Sequence, residues 1–475
     1  MQTLKPIVLP KVPAHFNATA IDPLDGRYYD PEIATYLSEQ SRVAYQAYVE
    51  MALAYTLADF GICSKESAKA IEKAARAVDI VSVYKEEQTT KHDIKALVNC
   101  IKVPLNEEAK PFVHFGATSY DIIATANALQ MRDAIQKMIV PKLQKLLATL
   151  IQIASDNKET VQIGRTHGQH AVPITFGFAI AEYVSRLGTS IQNINALAGE
   201  LRGKFSGAVG AYNALSVFVA DPIAFEKAVL DKVDLQPAPY ATQIVPPESM
   251  VRLVDELAIA AGIMANLAHD MRHLQRTEIA EVQEAFEKGQ TGSSTMAHKR
   301  NPWNFENVVS MSKQVLAQVV NANQNLSSEH QRDLTDSASS RFYAIPVACV
   351  ASMANRLDRI MRKLEVNAEQ MQKNLLLTGG AIAAEPLYLL LEKYGHTEAH
   401  EAAKQIAHQA LANKQTLAVA AANDESIQQY WARFNEAEKE LIASPEVAYI
   451  GKAIEKTQTI VDEWQSYLQA LSSRA

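Results

Sequence analysis

The chain is short of the residues that interrupt helices. It carries 18 glycines and 18 prolines in 475 residues, where the two types together usually make up roughly 12%. Collagen-like and low-complexity architectures are excluded, and a mostly helical protein is expected. Cysteine is scarcer still. Cys63, Cys100 and Cys349 lie far apart and form no CxxC pair. They read as free, mostly buried thiols of a reducing compartment, the cytoplasm. Positive charge is not in excess: 46 Lys and Arg stand against 53 Asp and Glu, a net charge of −7. That excludes a nucleic-acid protein held by a broad basic face. A small anionic substrate remains open, because it needs only a few local cations. No apolar run reaches the roughly 18 residues that a membrane span needs. The most apolar window, 258–268, is too short and contains Asn266. Residues 1–14 lack the basic start and apolar core of a signal peptide.

What is present is ordinary globular material, 48% hydrophobic and 21% charged. At roughly 150 residues per domain the length suggests about three domains, and a chain this long needs no disulfide or metal staple. Pro6, Pro10, Pro13, Pro23, Gly26 and Pro31 mark an irregular lead-in. A helix is expected from Pro31, capped by Asp30, to about Phe60. A second should cover 65–78, and a third should run from about His92 to just before Pro104. Longer apolar-periodic segments follow over 120–155, 173–203, 249–287, 304–327 and 340–371. Each exceeds the mean helix of ~11–12 residues, and thirty helical residues span ~45 Å. Pro141 should kink the first without ending it. The tail, entered at Gly379-Gly380, reads as a smaller helical domain. The expected fold is all-α, with three helical domains over 1–115, 116–365 and 366–475, the middle one a long helical bundle.

Polar connections join the long segments at 112–121, 164–177, 202–247, 289–304 and 327–341. Helices supplying a scaffold and loops supplying chemistry is the usual division. The most informative loop reads Thr291-Gly292-Ser293-Ser294-Thr295-Met296-Ala297-His298-Lys299-Arg300-Asn301-Pro302. Its small residues suit a loop that opens and closes, and Lys299 and Arg300 suit a carboxylate or phosphate. A serine here acts on a substrate proton only if its own proton is stabilised away. A solvated connection with a basic cap is the plainer account of the same residues. Gly164-Arg165-Thr166-His167-Gly168-Gln169-His170 places two histidines three apart. One suits a general acid, since imidazole titrates near pH ~6.5. Capping or packing would also explain them. The segment has no Cys, Asp or Glu to complete a metal set, so no metal is expected. His114-Phe115-Gly116-Ala117-Thr118-Ser119-Tyr120-Asp121 sets hydroxyls and backbone N–H groups at a helix start. Ser119 or Asp121 would serve there as an N-cap, and the same geometry binds anions. Thr89-Thr90-Lys91-His92-Asp93 is similar. Arg332, Ser337 and Arg341 suit a phosphate, or an exposed charge run; the last two would share a face if the stretch is helical.

These residues together carry a resemblance. The run 292–302 resembles the signature loop of the fumarase/aspartase superfamily of lyases. Segments 114–119 and 164–173 resemble its two other active-site segments, in the same order, and the resemblance covers roughly residues 20–365. Within the superfamily it is closest to the adenylosuccinate lyase branch. Asp25-Gly26-Arg27-Tyr28 resembles that branch's nucleotide-binding segment, Thr90-Lys91-His92-Asp93 its His-Asp element, and Thr242-Gln243-Ile244 its Thr-Gln element. Leu274-Gln275-Arg276-Thr277-Glu278 and Phe305-Glu306-Asn307 fit the same branch, and Arg332, Ser337 and Arg341 are similar to its phosphate-holding set. Two departures stand out. Ala297 replaces the usual proline after Met296, which frees φ, and His170 stands where some relatives carry proline. The signature also resembles that of carboxymuconate cycloisomerase, a sister branch.

The resemblance implies anti β-elimination of fumarate from adenylosuccinate, giving AMP, and from the succinylated aminoimidazole carboxamide ribotide, with no cofactor. By motif position Ser293 is the base and His167 the acid. Lys299 stabilises the serine alkoxide, and Glu306 orients His167. His114, Thr118, Ser119, Lys299 and Asn301 hold the fumaryl carboxylates, with Ser294 and Met296 beside them. Lys91, His92 and Asp93 lie at the phosphate or its neighbourhood, and Gln243 contacts the substrate. Arg27, Tyr28, Arg332, Ser337 and Arg341 hold the nucleotide. The family assembles as a homotetramer whose long helices form one core and whose active sites each draw on three chains. Neither nucleic acid nor membrane is an implied partner. Two other readings stand beside this one: a cycloisomerase-like enzyme and a non-catalytic helical assembly protein. The nucleotide set weighs against the first. The concurrence of Ser293, Lys299, His167 and His114 weighs against the second, because function rests on the site and not on the fold.

Overall fold

The structure is a computed structural model that describes residues 4–13, 15, 19–286, 289, 295–296 and 298–473. It divides into two compact units. One comprises Met1–Leu143, Ser190–Gly262 and Ser310–Ala354, the other Gln144–Thr189, Ile263–Val309 and Asn355–Ala475. The described chain is mainly helical, with three two-stranded sheets.

In the first unit the expected helix from Pro31 is two helices, Pro31–Leu37 and Glu39–Asp59. Asp30 caps the first, accepting from the Glu32 N–H at 2.8 Å. The break falls at Ser38. Its backbone is extended, and its hydroxyl accepts from the Ser41 N–H at 3.3 Å, so it ends one helix and caps the next. Helix Glu39–Asp59 is buried on every face, with Val49, Leu53 and Leu57 fully covered. Lys65–Arg76 and Asp93–Lys102 lie where the periodicity places them. Helix Ile80–Thr90, capped by Asp79, was not expected, because its second half is polar throughout.

The first long segment runs as Ser119–Ala134, a single π-helical turn Ile135–Ile139, and Val140–Asp156. Pro141 lacks an N–H and its ring crowds the preceding turn. The wider π turn directly ahead of it accommodates both defects. The other long helices are Phe176–Gly199, Glu248–Leu274, Trp303–Gln324 and Ala344–Met361, shorter than the apolar periodicity suggested. Ser339–Tyr343 is a 3-10 turn, and Glu365–Val366 leaves the helix to pair with Val282–Gln283.

The second unit contains the main correction. Residues 164–177 are not an irregular loop leading into a helix at Pro173. They belong to an antiparallel hairpin, Val161–Thr166 with Gln169–Thr175, and Pro173 sits opposite Ile163 inside it. A two-stranded ribbon tolerates proline because each strand has a free edge. In the same unit, helices Phe176–Gly199 and Ala453–Ser472 approach closely at Gly188. A Cβ there would stand 2.4 Å from the Trp464 ring. The C-terminal helices close their own core around Leu387, Leu391, Ile406, Leu417 and Phe434. Among the described residues no single helix is long and apolar enough to cross a membrane.

Candidate active site

The first unit gathers most of the substrate-binding candidates. His114 ends the 3-10 turn region after Lys110–Phe112 and has a left-handed backbone, φ 62. Two groups fix it there. Glu50 accepts from the His114 N–H at 3.1 Å and meets Nδ1 at 2.7 Å. Two residues on, Gly116 also has positive φ, and a Cβ there would strike Phe218 at 2.4 Å. Burial opposes a charge on His114. The carboxylate of Glu50 and its hydrogen bond outweigh that and hold the imidazole above its ordinary pKa.

Thr118, not Ser119 or Asp121, is the N-cap of helix Ser119–Ala134. Asp121 completes a capping box by accepting from the Thr118 N–H at 2.8 Å. Asp121 is itself buried. It pairs with the buried Lys204 and accepts from the Gly207 N–H at 3.1 Å. With the cap made by its neighbour, Ser119 is free to turn its hydroxyl to His92 Nε2, 3.4 Å away. His92 caps the next helix through Nδ1, which accepts from the Lys95 N–H at 3.4 Å. Lys91 is exposed at the left-handed end of the preceding helix.

The phosphate candidates divide. Arg332 is only 7% exposed, pairs with Asp336 at 2.6 Å, and lies 4.2 Å from the Tyr120 ring centroid while bonding the Tyr120 hydroxyl. Arg341 is 49% exposed and sits 3.4 Å from Asp93. It therefore presents the more available guanidinium. The N–H of Ser337 donates to Leu334 at 3.1 Å in a turn before the 3-10 helix, so Ser337 and Arg341 share no α-helical face. Gln243 joins this set through its N–H, which donates to the Gln331 carbonyl at 3.1 Å. Arg27 is exposed and Tyr28 half-buried. Both lie in the turn closed by the Tyr28 N–H on Pro23 at 2.8 Å.

In the second unit His167 stands at the hairpin tip and is exposed. His167 and Gly168 form the two-residue turn, with φ 57 and φ 74, the left-handed pair that a primed hairpin turn requires. The hairpin is anchored beneath the tip by Glu281, whose side chain is fully buried. It takes Arg165 at 2.5 Å, Gln162 at 2.7 Å and Asn374 at 2.8 Å. His170 faces Arg165 across the ribbon. Burial, then Arg165, lowers its pKa against a smaller opposing pull from Glu281. It packs within the hairpin, half-buried.

The loop after this unit's long helix is described only in part. Ser293, Ser294 and Ala297 lie outside the described residues. Met296 is 44% exposed, and the Lys299 N–H donates to its carbonyl at 3.0 Å. Lys299 is exposed and Asn301 half-buried. Arg300 lies 5.5 Å from the Phe286 ring. Glu306, in the first turn of helix Trp303–Gln324, faces Arg272 at 3.6 Å. Among the described residues its partner is Arg272 and not His167. The start of that helix is held by buried Glu284, which accepts from Asn304 at 2.7 Å and from the Phe305 N–H at 3.0 Å.

Sequence reasoning passed over Glu50, Asp121–Lys204 and Glu281. Glu50 carried a usable signal, an acid flanked by Val49 and Met51 in an unbroken apolar helix, where a lone charge demands a partner. Among the described residues no three His, Cys, Asp or Glu side chains are arranged to hold a metal.

The chain is similar to known proteins over most of its length. A lyase family model matches residues 28–317, and an adenylosuccinate lyase C-terminal model matches 328–439. Adenylosuccinate lyase from Archaeoglobus fulgidus is 35% identical over 445 residues, covering 93% of this chain and 98% of that one. The protein of the same name from Pyrococcus horikoshii is 36% identical over 450 residues. Among solved structures, the 3-carboxy-cis,cis-muconate lactonizing enzyme of Pseudomonas putida superposes with a TM-score of 0.81 at 27% identity, over 94% of this chain and 100% of that one. A fumarate lyase from Mesorhizobium sp. BNC1 has the same fold at a TM-score of 0.81 and 22% identity. Matched over nearly its whole length and by both family models in order, the chain belongs to the adenylosuccinate lyase family of the fumarase/aspartase superfamily.

Proposed function

We propose that the protein cleaves adenylosuccinate to AMP and fumarate, and that it acts likewise on the succinylated aminoimidazole carboxamide ribotide. What carries this reading is the grouping in one unit of His92, His114, Thr118, Ser119 and Arg341. They supply hydroxyl, imidazole and guanidinium groups for a substrate bearing two carboxylates and a phosphate. The family relationship supports the same substrate.

In the proposed reaction Ser293, as alkoxide, takes a proton from the carbon beside a carboxylate. The electron pair moves into that carboxylate, giving a dianionic aci-carboxylate. It then returns to form the carbon–carbon double bond as the carbon–nitrogen bond breaks. His167 delivers a proton to the departing nitrogen from the opposite side. Lys299, Asn301, His114, Thr118 and Ser119 meet the extra negative charge, the largest catalytic contribution for such an intermediate. Glu306 orients His167. Ser294, Met296 and Gln243 line the substrate. Arg27, Tyr28, Lys91, His92, Asp93, Arg332, Ser337 and Arg341 form the nucleotide side.

The chain works in the cytoplasm as a homotetramer, divided as 1–115, 116–365 and 366–475, with the middle part at the tetramer core. His167 is exposed at the hairpin tip while Glu306 faces Arg272 in its own chain, which supports a site completed by neighbouring subunits. The test is incubation of purified protein with adenylosuccinate. AMP and fumarate should appear in equal amounts. Folded protein that forms neither, but lactonizes carboxymuconate, would overturn the reading in favour of the sister branch.

A further inference from the structure

We infer that Glu50 is a positioning residue that favours the imidazolium form of His114, making His114 the fixed cation for a substrate carboxylate. The inference rests on the placement of the fumaryl carboxylates at His114 proposed above. Its basis is geometric. Glu50 lies in the buried middle of helix Glu39–Asp59, and its side chain has no exposed surface. Both of its oxygens are spent on one residue, Oε1 on His114 Nδ1 at 2.7 Å and Oε2 on the His114 N–H at 3.1 Å. A buried carboxylate without a cation is strongly disfavoured. Here the imidazole is the cation in bonding contact. The same contact fixes a backbone that a non-glycine residue adopts at a cost, φ 62. One carboxylate therefore sets the ring's place, its orientation and its charge. Nδ1 is occupied, so Nε2 is the nitrogen left to donate to a ligand.

Other charges face the ring from each neighbouring helix. Lys102, from Asp93–Lys102, opposes the imidazolium, and Asp121, from Ser119–Ala134, supports it. Asp121 is already matched by Lys204, so Glu50 is the carboxylate committed to His114. His92 provides the contrast. Its Nδ1 faces the Lys95 N–H and its Nε2 faces Ser119. Two histidines of the same unit are thus held differently, one by a buried carboxylate and one by a backbone N–H.

The test compares the full-length protein with Glu50→Gln in steady-state cleavage of adenylosuccinate between about pH 6 and pH 8.5, a window spanning the ordinary imidazole pKa. Toward the acid end a growing share of the variant's imidazole protonates, and its KM should approach that of the parent. As pH rises the variant's KM should climb roughly ten- to hundredfold, the cost of one charge-assisted hydrogen bond, while the parent's KM stays flat to higher pH. Glu50→Asp, which keeps the charge, should restore the flat profile in part. A KM that is unchanged, or raised equally at every pH, would overturn the inference. Inhibition of the parent by succinate gives a check that needs no variant. It should hold steady through pH ~6.5, and loss of inhibition with a midpoint there would also overturn the inference. His114→Gln separates the two claims. If it leaves KM unchanged, the carboxylate placement itself fails. If it raises KM while Glu50→Gln shows no pH-dependent shift, only the charge assignment fails.

Discussion

The two units hold their candidate residues in opposite ways. In the first, several of the groups are already engaged: Glu50 with His114, Asp121 with Lys204 and Thr118, Asp336 with Arg332, Asp93 with Arg341. In the second, the rigid network lies beneath the hairpin, at Glu281, while His167 stands exposed above it. Binding groups benefit from being fixed before the substrate arrives, because no ordering cost then falls on association. His167 has its support at the base of the hairpin and none at the tip. On the proposed reading, the first unit is a preorganised binding region and the second carries a catalytic group that neighbouring subunits would complete.

The sharpest way to break that division is to alter the catalytic groups alone. Ser293→Ala and His167→Ala should each lower kcat by roughly three orders of magnitude or more, with KM nearly unchanged in initial-rate assays. A leaving group that needs no protonation should partly rescue His167→Ala. In the first unit, Lys204→Met leaves Asp121 buried without its cation. It should cost about 3–5 kcal/mol in chemical denaturation and raise KM, because Asp121 also holds the Thr118 cap. Arg341→Ala should raise KM roughly tenfold or more at near-normal kcat, and Arg332→Ala should show a larger share of its effect as lost stability. Gly188→Ala drives a methyl into the Trp464 ring and should destabilise by about 1–3 kcal/mol, seen as a lower Tm. The smallest effect is one of pH. The raised pKa of His114 means its pair with Glu50 contributes stability that is fully present below the ordinary value of 6.5 and lost as pH rises through the raised one. The Tm of the parent should fall over that range, and Glu50→Gln should abolish the slope.

The helical framework was legible because its signals are local. Asp30 before Pro31, Pro141 inside an apolar stretch, and His92 before a short amphipathic helix each act within one turn. The hairpin was not, because Pro173 and a polar tip look like a loop and a helix start. What decides it is a turn pair, His167-Gly168, in which a histidine rather than the usual asparagine or aspartate takes positive φ. The residues proposed to touch substrate were chosen through the motifs. Those that position them were not, since Glu50 meets His114 across 64 residues and Glu281 meets Arg165 across 116. No periodicity or spacing links such pairs. A single buried acid in an apolar helix announces a missing partner but not which one.

The claim that a binding region in one chain is completed by catalytic groups from others is tested most directly by mixing two inactive variants. Ser293→Ala and His167→Ala are unfolded together in equal amounts, refolded, and assayed for fumarate release. If the two residues of a site come from different chains, random reassembly should restore about a quarter of parental activity, the fraction of sites that receive both intact residues. A mixture that stays as inactive as its two components, while forming tetramers, would contradict the account and place both residues of each site on one chain.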